Sequence, residues 1–493
     1  MFRKLAFLVG FETSGRAGQV KRVERMARMR IIRLAVLILG IGLCAVAQTG
    51  TQPQPQPPTP APAFGQNVPI LSPENPPVTG LDEPSLDLRS ATRSFIAPAL
   101  QVSESADTNA GNQIGAAGLN SVSRVLGAVD LQQFWPKSDL FLEYLGGGAF
   151  YADPYAAKQL QAAGLDAITR WRTGQATLRD SFNYLPDGSF EIGTFGGVPG
   201  LGLATGVGGL GGSIPGGHQF GSGGPGVGDI PRLANTAVLD IVQAISPVSA
   251  ITVAGGFSNA HFYDPTNFLA NSDQMTAQGG YSHLISRRDQ IGVIYAFQLF
   301  QFPQDTGGEI YNHVLNVRWS HTITGRMSLV IGAGPQYTDL EVGGALSHWS
   351  LSARVQLHYK FAHSSVVATY EKFTSEGSGL FAGAATQAAR FAFKRPLTRT
   401  IDFYTDLGYS HNKRLQDANI GVNADTYDEG YAAAVVRKHY GRNYDFFMAY
   451  RFSELGLSAP IQNCTIGLGC GQLSSRHVGT VGVEWHPTPT RIE

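Results

Sequence analysis

Charged residues recur at alternate positions within strand-length stretches of the C-terminal half of the chain, on the parity opposite to the apolar residues. The candidates for chemistry are the basic and acidic members of this set: Arg318, Arg354, Arg390, Lys394, Arg451, Asp402 and Asp406. Successive side chains of a β-strand point to opposite faces, so these residues would share one wet face. If that face lines a water-filled channel, a basic wall opposing an acidic wall would create a transverse field and tune ion selectivity. The alternative is that the charges pair with one another and stiffen the interior, and the sequence leaves both open.

The stretch from Trp349 to Tyr359 shows the alternation most clearly. Its odd positions are Trp, Leu, Ala, Val, Leu and Tyr, whereas its even positions are Ser, Ser, Arg, Gln and His. A strand with this pattern has one apolar face and one polar face. A soluble β-sandwich also alternates in this way, so the aromatic spacing and the turn rhythm are needed to decide the fold class.

Aromatic residues stand at the two ends of the apolar face in two of these stretches. Tyr311 and Trp319 share one parity, and Trp349 and Tyr359 share another. At ~3.3 Å per residue and a tilt of roughly 40°, such spacings rise ~20–25 Å along a membrane normal. This is about the height of the apolar band between the aromatic girdles of a transmembrane β-barrel. The four aromatics are therefore predicted to form girdles.

The composition excludes several classes of function. Lys plus Arg and Asp plus Glu are balanced at 37 each, so no overall field favours nucleic acid. The charged fraction is 15%, below the roughly 25% typical of soluble domains. After the N-terminal region no apolar run reaches the length of a membrane-spanning helix, so a membrane protein with this sequence has to close its backbone hydrogen bonds as a barrel.

An export signal is predicted at residues 29–47. It has a basic start, a short apolar run and an Ala-x-Ala cleavage site at Ala45–Ala47, which predicts Sec-type export. A signal peptide begins its chain, so residues 1–28 are interpreted as an extended or mis-annotated N-terminus, with translation starting at Met26 or Met29.

Three regions follow the signal. Residues 48–135 are predicted to be a proline-rich linker and a poorly ordered periplasmic segment. Residues 136–230 are predicted to hold the first strands, a short helix at Tyr155–Thr169 and a glycine-rich tract, Gly196–Gly228, which is either a flexible loop or a constriction folded into a lumen. Residues 231–493 are predicted to form the main barrel.

Short turns and longer connections alternate along residues 231–493. Short turns are predicted near Ser246-Pro247, Ser286–Asp289, Thr324-Gly325, His363-Ser364, Arg395-Pro396 and His439–Gly441. The longer connections between them are typical of the asymmetric ends of an outer-membrane barrel. The predicted fold is all-β, a transmembrane antiparallel up-and-down barrel of about fourteen strands, with a range of twelve to sixteen.

Two cysteines remain once the signal is removed. An even pair in an exported protein indicates a disulfide, here between Cys464 and Cys470. Two cysteines without nearby histidines or carboxylates supply too few ligands for a metal site, and no cofactor is expected.

Alternating strands such as Gln290–Phe297, short turns against long loops, and a last strand at Val481–Trp485 resemble bacterial outer-membrane β-barrel proteins of the porin-like kind. The resemblance implies a location in outer-membrane lipid and assembly by the outer-membrane insertion machinery. In such proteins the closing strand usually ends the chain on an aromatic residue, whereas here Trp485 is followed by His486–Glu493. The resemblance to porin-like proteins also implies a role in passive or weakly selective passage of small polar solutes.

Two other classes of function remain as alternatives. An export-related or structural barrel would use residues 48–135 to dock a periplasmic or polysaccharide-secretion partner. An enzyme would need a nucleophile next to its base, but adjacent pairs such as Ser282-His283 and Ser320-His321 point to opposite faces of a strand. The prediction is therefore that the chain is not an enzyme.

Overall fold

The computed structural model describes residues 94–492, apart from 112, 116–117, 153–156, 186–229, 264–268, 304–307, 341–345, 362–363, 378, 416–423, 466–468 and 489. Every element within these residues is a β-strand. None of the described residues belongs to a helix of the length and hydropathy required to cross a bilayer. The predicted signal peptide, the proline-rich linker and the glycine-rich tract lie outside the described residues.

The strands are β1 (Phe95–Asp107), β2 (Asn120–Phe134), β3 (Ser138–Tyr151), β4 (Lys158–Trp171), β5 (Gly174–Leu185), β6 (Arg232–Ser246), β7 (Ser249–Phe262), β8 (Ser272–Leu284), β9 (Asp289–Gln301), β10 (Ile310–Thr324), β11 (Met327–Leu340), β12 (Leu346–Lys360), β13 (Ser365–Ser375), β14 (Ala384–Pro396), β15 (Ile401–Arg414), β16 (Thr426–Tyr440), β17 (Tyr444–Thr465), β18 (Gly469–Trp485) and β19 (Thr490–Arg491).

The sheet closes on itself. Each strand from β2 to β17 pairs antiparallel with its two sequence neighbours, and β1 pairs with both β2 and β18. The closing register runs from Leu100 opposite Trp485 to Asp107 opposite Val478. The short β19 continues beyond Trp485 and pairs Arg491 with Phe95 of β1. A closed sheet has no free edge, so these eighteen full strands satisfy their backbone hydrogen bonds within the barrel.

The two ends of the barrel differ in their connections. Short turns lie at 135–137, 172–173, 247–248, 285–288, 325–326, 361–364, 397–400 and 441–443. Six of them overlap or adjoin the short turns predicted from the sequence, whereas those at 135–137 and 172–173 were not predicted. We call this end the turn end. At the opposite, loop end the connections include 108–119, 263–271, 302–309, 376–383 and 415–425. In outer-membrane barrels short turns face the periplasm and longer loops face outward.

The two faces of the strands carry different side chains. In β12 the outward Trp349, Leu351 and Val355 are 71%, 53% and 37% exposed, whereas the inward Ser352 and Arg354 are 0% and 4% exposed. The exposed large residues of the neighbouring strands are apolar in the same way, and many of the buried inward ones are polar. An apolar outside and a polar inside form the architecture of an outer-membrane β-barrel.

The strand number of about fourteen was too low, and the N-terminal part of the barrel explains the difference. β1 and β2 fall within residues 48–135, which were predicted to be poorly ordered, and β4 replaces the helix predicted at Tyr155–Thr169. The inward positions of β1–β4 hold an apolar cluster that includes Ala97, Leu126 and Leu160. Because apolar residues lie on both faces here, the alternation that marks the later strands is lost. The Gln-, Ala- and Leu-rich sequence of β4 also favours a helix locally, but pairing with β3 and β5 decides its conformation.

Candidate functional site: the barrel lumen

All seven charged residues predicted to line the lumen occupy inward positions of the strands. They lie on β10, β12, β14, β15 and β17. Arg318, Arg354 and Arg451 are buried among other inward side chains. Arg318 stands opposite Gly292 of β9 and Gly332 of β11, so neither directly opposed residue places a side chain against it.

The predicted basic and acidic walls meet as a pair on neighbouring strands. Arg390 of β14 donates to Asp406 of β15 through Nη2 at 2.7 Å and through Nε at 3.2 Å. The Tyr431 hydroxyl of β16 donates to the same carboxylate at 2.9 Å. The Arg451 guanidinium of β17 lies 5.8 Å from the Tyr431 ring centre. We call Arg390, Asp406, Tyr431 and Arg451 the middle cluster.

A glycine makes room for the middle cluster. Gly408 stands directly opposite Tyr431 in the register of β15 and β16. A Cβ atom at Gly408 would collide with the Tyr431 ring, so the ring occupies the space that a side chain at Gly408 would take. This position holds the tyrosine hydroxyl against Asp406.

The other predicted cations also have neighbours on adjacent strands. Arg354 lies 3.2 Å from Glu371 of β13, measured from Nε to Oε1. The Lys394 ammonium lies 5.1 Å from the ring centre of Tyr404 on β15. Pairing between adjacent strands therefore accounts for these inward charges better than two charged walls facing each other across a lumen.

A second charged group lies at the turn end, on the inward face of β15–β18. His439 contacts Asp402 at 3.1 Å through Nε2 and Asp445 at 2.7 Å through Nδ1. Arg437 lies 3.4 Å from Asp445 and 3.4 Å from Glu484. These contacts connect the predicted Asp402, through His439 and Asp445, to Arg437 and Glu484. His439, Arg437 and Glu484 were not predicted from the sequence.

Further inward ion pairs lie on the strands that close the barrel and on those near the N-terminus. Arg476 of β18 contacts Asp107 of β1 at 2.6 Å across the closing seam. Arg179 of β5 lies 3.0 Å from Asp240 of β6 and 3.9 Å from Asp166 of β4. A buried charge without a partner costs several kcal/mol, so the pairs explain how a charged interior is tolerated.

The loop end of the lumen contains an apolar cluster that joins opposite walls. It includes Phe262 of β7, Leu380 and Phe381 after β13, and Tyr427 of β16. β7 and β16 stand nine strands apart (16 − 7) in a ring of eighteen, which is half of the circumference. The rings of Phe381 and Tyr427 are 5.1 Å apart. Apolar side chains therefore bridge the lumen at this end.

The connection between β13 and β14 supplies the centre of this bridge. We call residues 376–383 the inward loop; Ser378 lies outside the described residues. The Ala270 N–H donates to the Gly379 carbonyl at 2.8 Å, and the Leu415 N–H donates to the Gly383 carbonyl at 3.2 Å. Gly377, Gly379 and Gly383 adopt φ of +82°, +81° and +85°, which a residue with a Cβ rarely adopts. These glycines let the chain turn inward and place Leu380 and Phe381 in the cluster.

A buried carboxyl group lies at the start of the inward loop. Glu376 is 5% exposed, and its Oε1 has no hydrogen-bond partner among the described residues. Burial raises the pKa of Glu376 to about 7, although the nearby Arg232 of β6 acts in the opposite direction. Arg232 also interacts with Glu429 of β16, so one cation serves two carboxyl groups.

The predicted girdle residues all lie on the outward face. Tyr311 and Trp349 lie towards the loop end, where Trp349 packs 5.1 Å from Tyr337. Trp319 and Tyr359 lie towards the turn end; Trp319 donates to Asp289 at 3.2 Å, and Tyr359 packs 4.0 Å from Phe361. The two sets stand near opposite ends of their strands, where the interfaces of a bilayer would be.

The predicted disulfide falls on the hairpin between β17 and β18. Thr465 pairs with Gly469 on this hairpin and Ile461 pairs with Gly471, with a register shift between the two pairs. The two cysteines therefore lie close together along the hairpin, one on each strand. The bond itself stays a prediction.

Groups that resemble an enzyme or metal site are sparse among the described residues. Ser249 Oγ lies 2.9 Å from His283 Nδ1 on the outward face near the turn end. Its other polar neighbour is the Tyr281 hydroxyl at 3.1 Å, and the described residues place no carboxylate against His283 to orient the ring. Within the described part of the chain, no group of three or more potential metal ligands is present.

Comparison with known proteins gives a likeness of fold. No family model matches the chain, and no curated protein matches it. Among solved structures, OccK2 (OpdF) of Pseudomonas aeruginosa is 10% identical, with 81% of this chain and 98% of that chain covered and a TM-score of 0.39. OprD of the same species is 9% identical, with 82% and 98% covered and a TM-score of 0.37. The FrpB iron transporter of Neisseria meningitidis is 8% identical, with 80% and 83% covered and a TM-score of 0.39.

Sequence reasoning missed the loop-end bridge and the buried charges beside it. The signal that could have found the bridge is Glu376-Gly-Ser-Gly-Leu-Phe-Ala-Gly383, in which two bulky apolar residues stand between glycines directly after the longer connection predicted at Thr374–Gly379. Bulky apolar residues in a connection that faces water are unexpected unless the connection folds inward. Arg232 and Glu429 could have been placed on the inward face by parity, but their meeting depends on the curvature of the closed barrel.

Proposed function

We propose that this chain is an outer-membrane, porin-like channel for passive or weakly selective passage of small polar solutes. The observation that supports the proposal is a closed barrel whose outward face is apolar and whose inward face carries paired charges. Such a surface suits lipid outside and water inside. Because neighbouring charges of opposite sign largely cancel, the lumen would select only weakly between ions of different sign.

The proposal includes a route to the membrane. We propose that Sec-type export removes residues up to Ala47, and that the insertion machinery recognises β18 with its terminal Trp485. The short β19 continues the pairing beyond Trp485, so the tail stays in line with the closing strand.

The segment available to dock a periplasmic partner is shorter than the residues 48–135 predicted from the sequence. β1 and β2 take residues from 95 onward into the barrel. A docking function would then be confined to residues 48–93, which lie outside the described residues.

Planar-bilayer recording of the refolded full-length mature chain tests the channel proposal. We expect discrete current steps, with cation and anion permeabilities within a fewfold of each other. Arg390→Gln leaves Asp406 without its strongest partner and should shift permeability towards cations severalfold, whereas Asp406→Asn should shift it towards anions. The double variant should return close to the wild-type ratio.

A charge-matched control separates the lumen from the surface. Lys438→Gln removes the same unit of charge from an exposed, outward position of β16 and should leave the permeability ratio unchanged. Absence of current steps at every voltage, with a folded barrel, would reject the channel. If current steps appear but their cation-to-anion permeability ratio is unchanged in Arg390→Gln and in Asp406→Asn, the middle cluster does not line the conducting path.

A further inference from the structure

We propose that the inward loop is a proton-controlled gate: it stays docked across the loop end while Glu376 is neutral and is released when Glu376 becomes charged. The proposal rests on the channel function argued above and adds its regulation. It follows from how the loop is held, from what surrounds Glu376, and from the direction in which proton loss acts.

The loop is held by few polar bonds and by buried apolar side chains. Its described hydrogen bonds to other connections are the Ala270 N–H to the Gly379 carbonyl and the Leu415 N–H to the Gly383 carbonyl. Leu380 and Phe381 are each 1% exposed. Non-directional apolar contacts of this kind can be lost together when a segment leaves, and glycine lowers the barrier to a change of backbone conformation.

The surroundings of Glu376 tolerate a neutral carboxyl group better than a carboxylate. The charged groups near it come from β6, β16 and β17: Arg232 interacts with Glu376 and with Glu429, and Arg451 interacts with Glu429. Arg232 is shared between the two carboxyl groups, so it offsets the burial of Glu376 only in part. Because the Glu376 Oε1 has no hydrogen-bond partner among the described residues, a negative charge there would be poorly solvated.

The sign of the pH effect follows from the two states of the loop. The pKa of Glu376 is about 7 when the loop is docked and returns towards its ordinary 4.5 when the loop is released into water. A raised pKa in the docked state means that docking is most stable at low pH and is lost as pH rises through about 7. Between pH 5 and pH 8 the release equilibrium should increase roughly seventyfold by proton linkage.

Conductance as a function of pH tests the gate. In wild-type channels we expect low open probability at pH 5 and a large rise by pH 8. Glu376→Gln keeps the shape of the neutral carboxyl group, so this variant should stay in the low-conductance state at both pH values. A rise in Glu376→Gln equal to that of the wild type would overturn the proposal.

Glu309→Gln is the matched control. Glu309 also lies in a loop-end connection, but hydrogen bonds from Tyr311 and Gln301 lower its pKa, so it stays ionised across this pH range. Its variant should keep the wild-type pH response. Loss of the response in Glu309→Gln would show that any loop-end charge controls conduction and would contradict the specific role of Glu376.

A readout that needs no current separates the gate from the channel function. Amide hydrogen exchange of a peptide containing 376–383, corrected for the intrinsic effect of pH, should rise steeply between pH 5 and pH 8 in the wild type and stay low in Glu376→Gln. Exchange that rises without current steps would support the gated loop and reject the channel. Current steps with exchange and open probability that do not depend on pH would reject the gate and leave the channel.

Discussion

Phe381→Ala is the most direct test of the apolar bridge at the loop end. Phe381 is 1% exposed, and its ring contacts Tyr427 on the wall half a circumference from β7. Truncating a fully buried phenylalanine costs about 3–5 kcal/mol where the surroundings cannot collapse into the space. This ring belongs to a connection and not to a strand, so the cost falls on docking of the inward loop more than on closure of the barrel.

The magnitude predicts an obvious change in conduction. A loss of even about 3 kcal/mol in docking raises the released fraction more than a hundredfold, since each 1.4 kcal/mol is a factor of ten. Single-channel recording at pH 5, where the wild type is expected to be mostly closed, should show Phe381→Ala open for most of the time. The unit conductance should match that of wild-type channels at pH 8.

The control for this experiment is Phe361→Ala. Phe361 is 42% exposed at the turn between β12 and β13, away from the loop end. It should leave open probability at pH 5 unchanged. Gel mobility before and after heating should show that both variants are folded barrels. If folded Phe381→Ala channels open as rarely as the wild type at pH 5, the bridge does not control passage and the reasoning is refuted.

Two further predictions concern the outward face and the loop-end hairpin. Val317→Arg places a cation on the lipid face of β10 and should lower the free energy of unfolding, measured in urea, by ~2–4 kcal/mol. Ser320→Arg places the same cation on the inward face and should lower it clearly less. Equal losses in the two variants would contradict the assigned faces. Cys464 and Cys470 should give no free thiol in unreduced protein and two after reduction, and free thiols in the unreduced chain would argue against the disulfide.

The strands that could be predicted from the sequence are those whose two faces meet different surroundings, lipid on one side and the lumen on the other. β12 is one example, because lipid requires Leu351 and Val355 while the lumen accepts Ser352 and Arg354. β1–β4 could not be read in this way, because Leu126 and Leu160 put apolar side chains on the inner face as well. The alternation then vanishes although the backbone pairing is unchanged.

The contacts between inward side chains could not be predicted, because they depend on how neighbouring and distant strands are placed relative to one another. Parity placed Arg390 and Asp406 on the same face, but only the offset between β14 and β15 brings them to 2.7 Å. The meeting of Arg232 with Glu376 and Glu429 requires the whole sheet to close. The inward loop went unrecognised because its direction is set by three glycines and by apolar residues on distant strands.

The central claim is that one parity of these strands touches lipid and the other faces the lumen. Single cysteines placed in turn at positions 351 to 357 of β12, in a Cys464→Ser, Cys470→Ser background reconstituted in liposomes, test this claim most directly. Fluorophores at 351, 353, 355 and 357 should be quenched by brominated lipid, whereas fluorophores at 352, 354 and 356 should not. A profile without this period of two, or with lipid quenching at Arg354→Cys, would contradict the barrel as described.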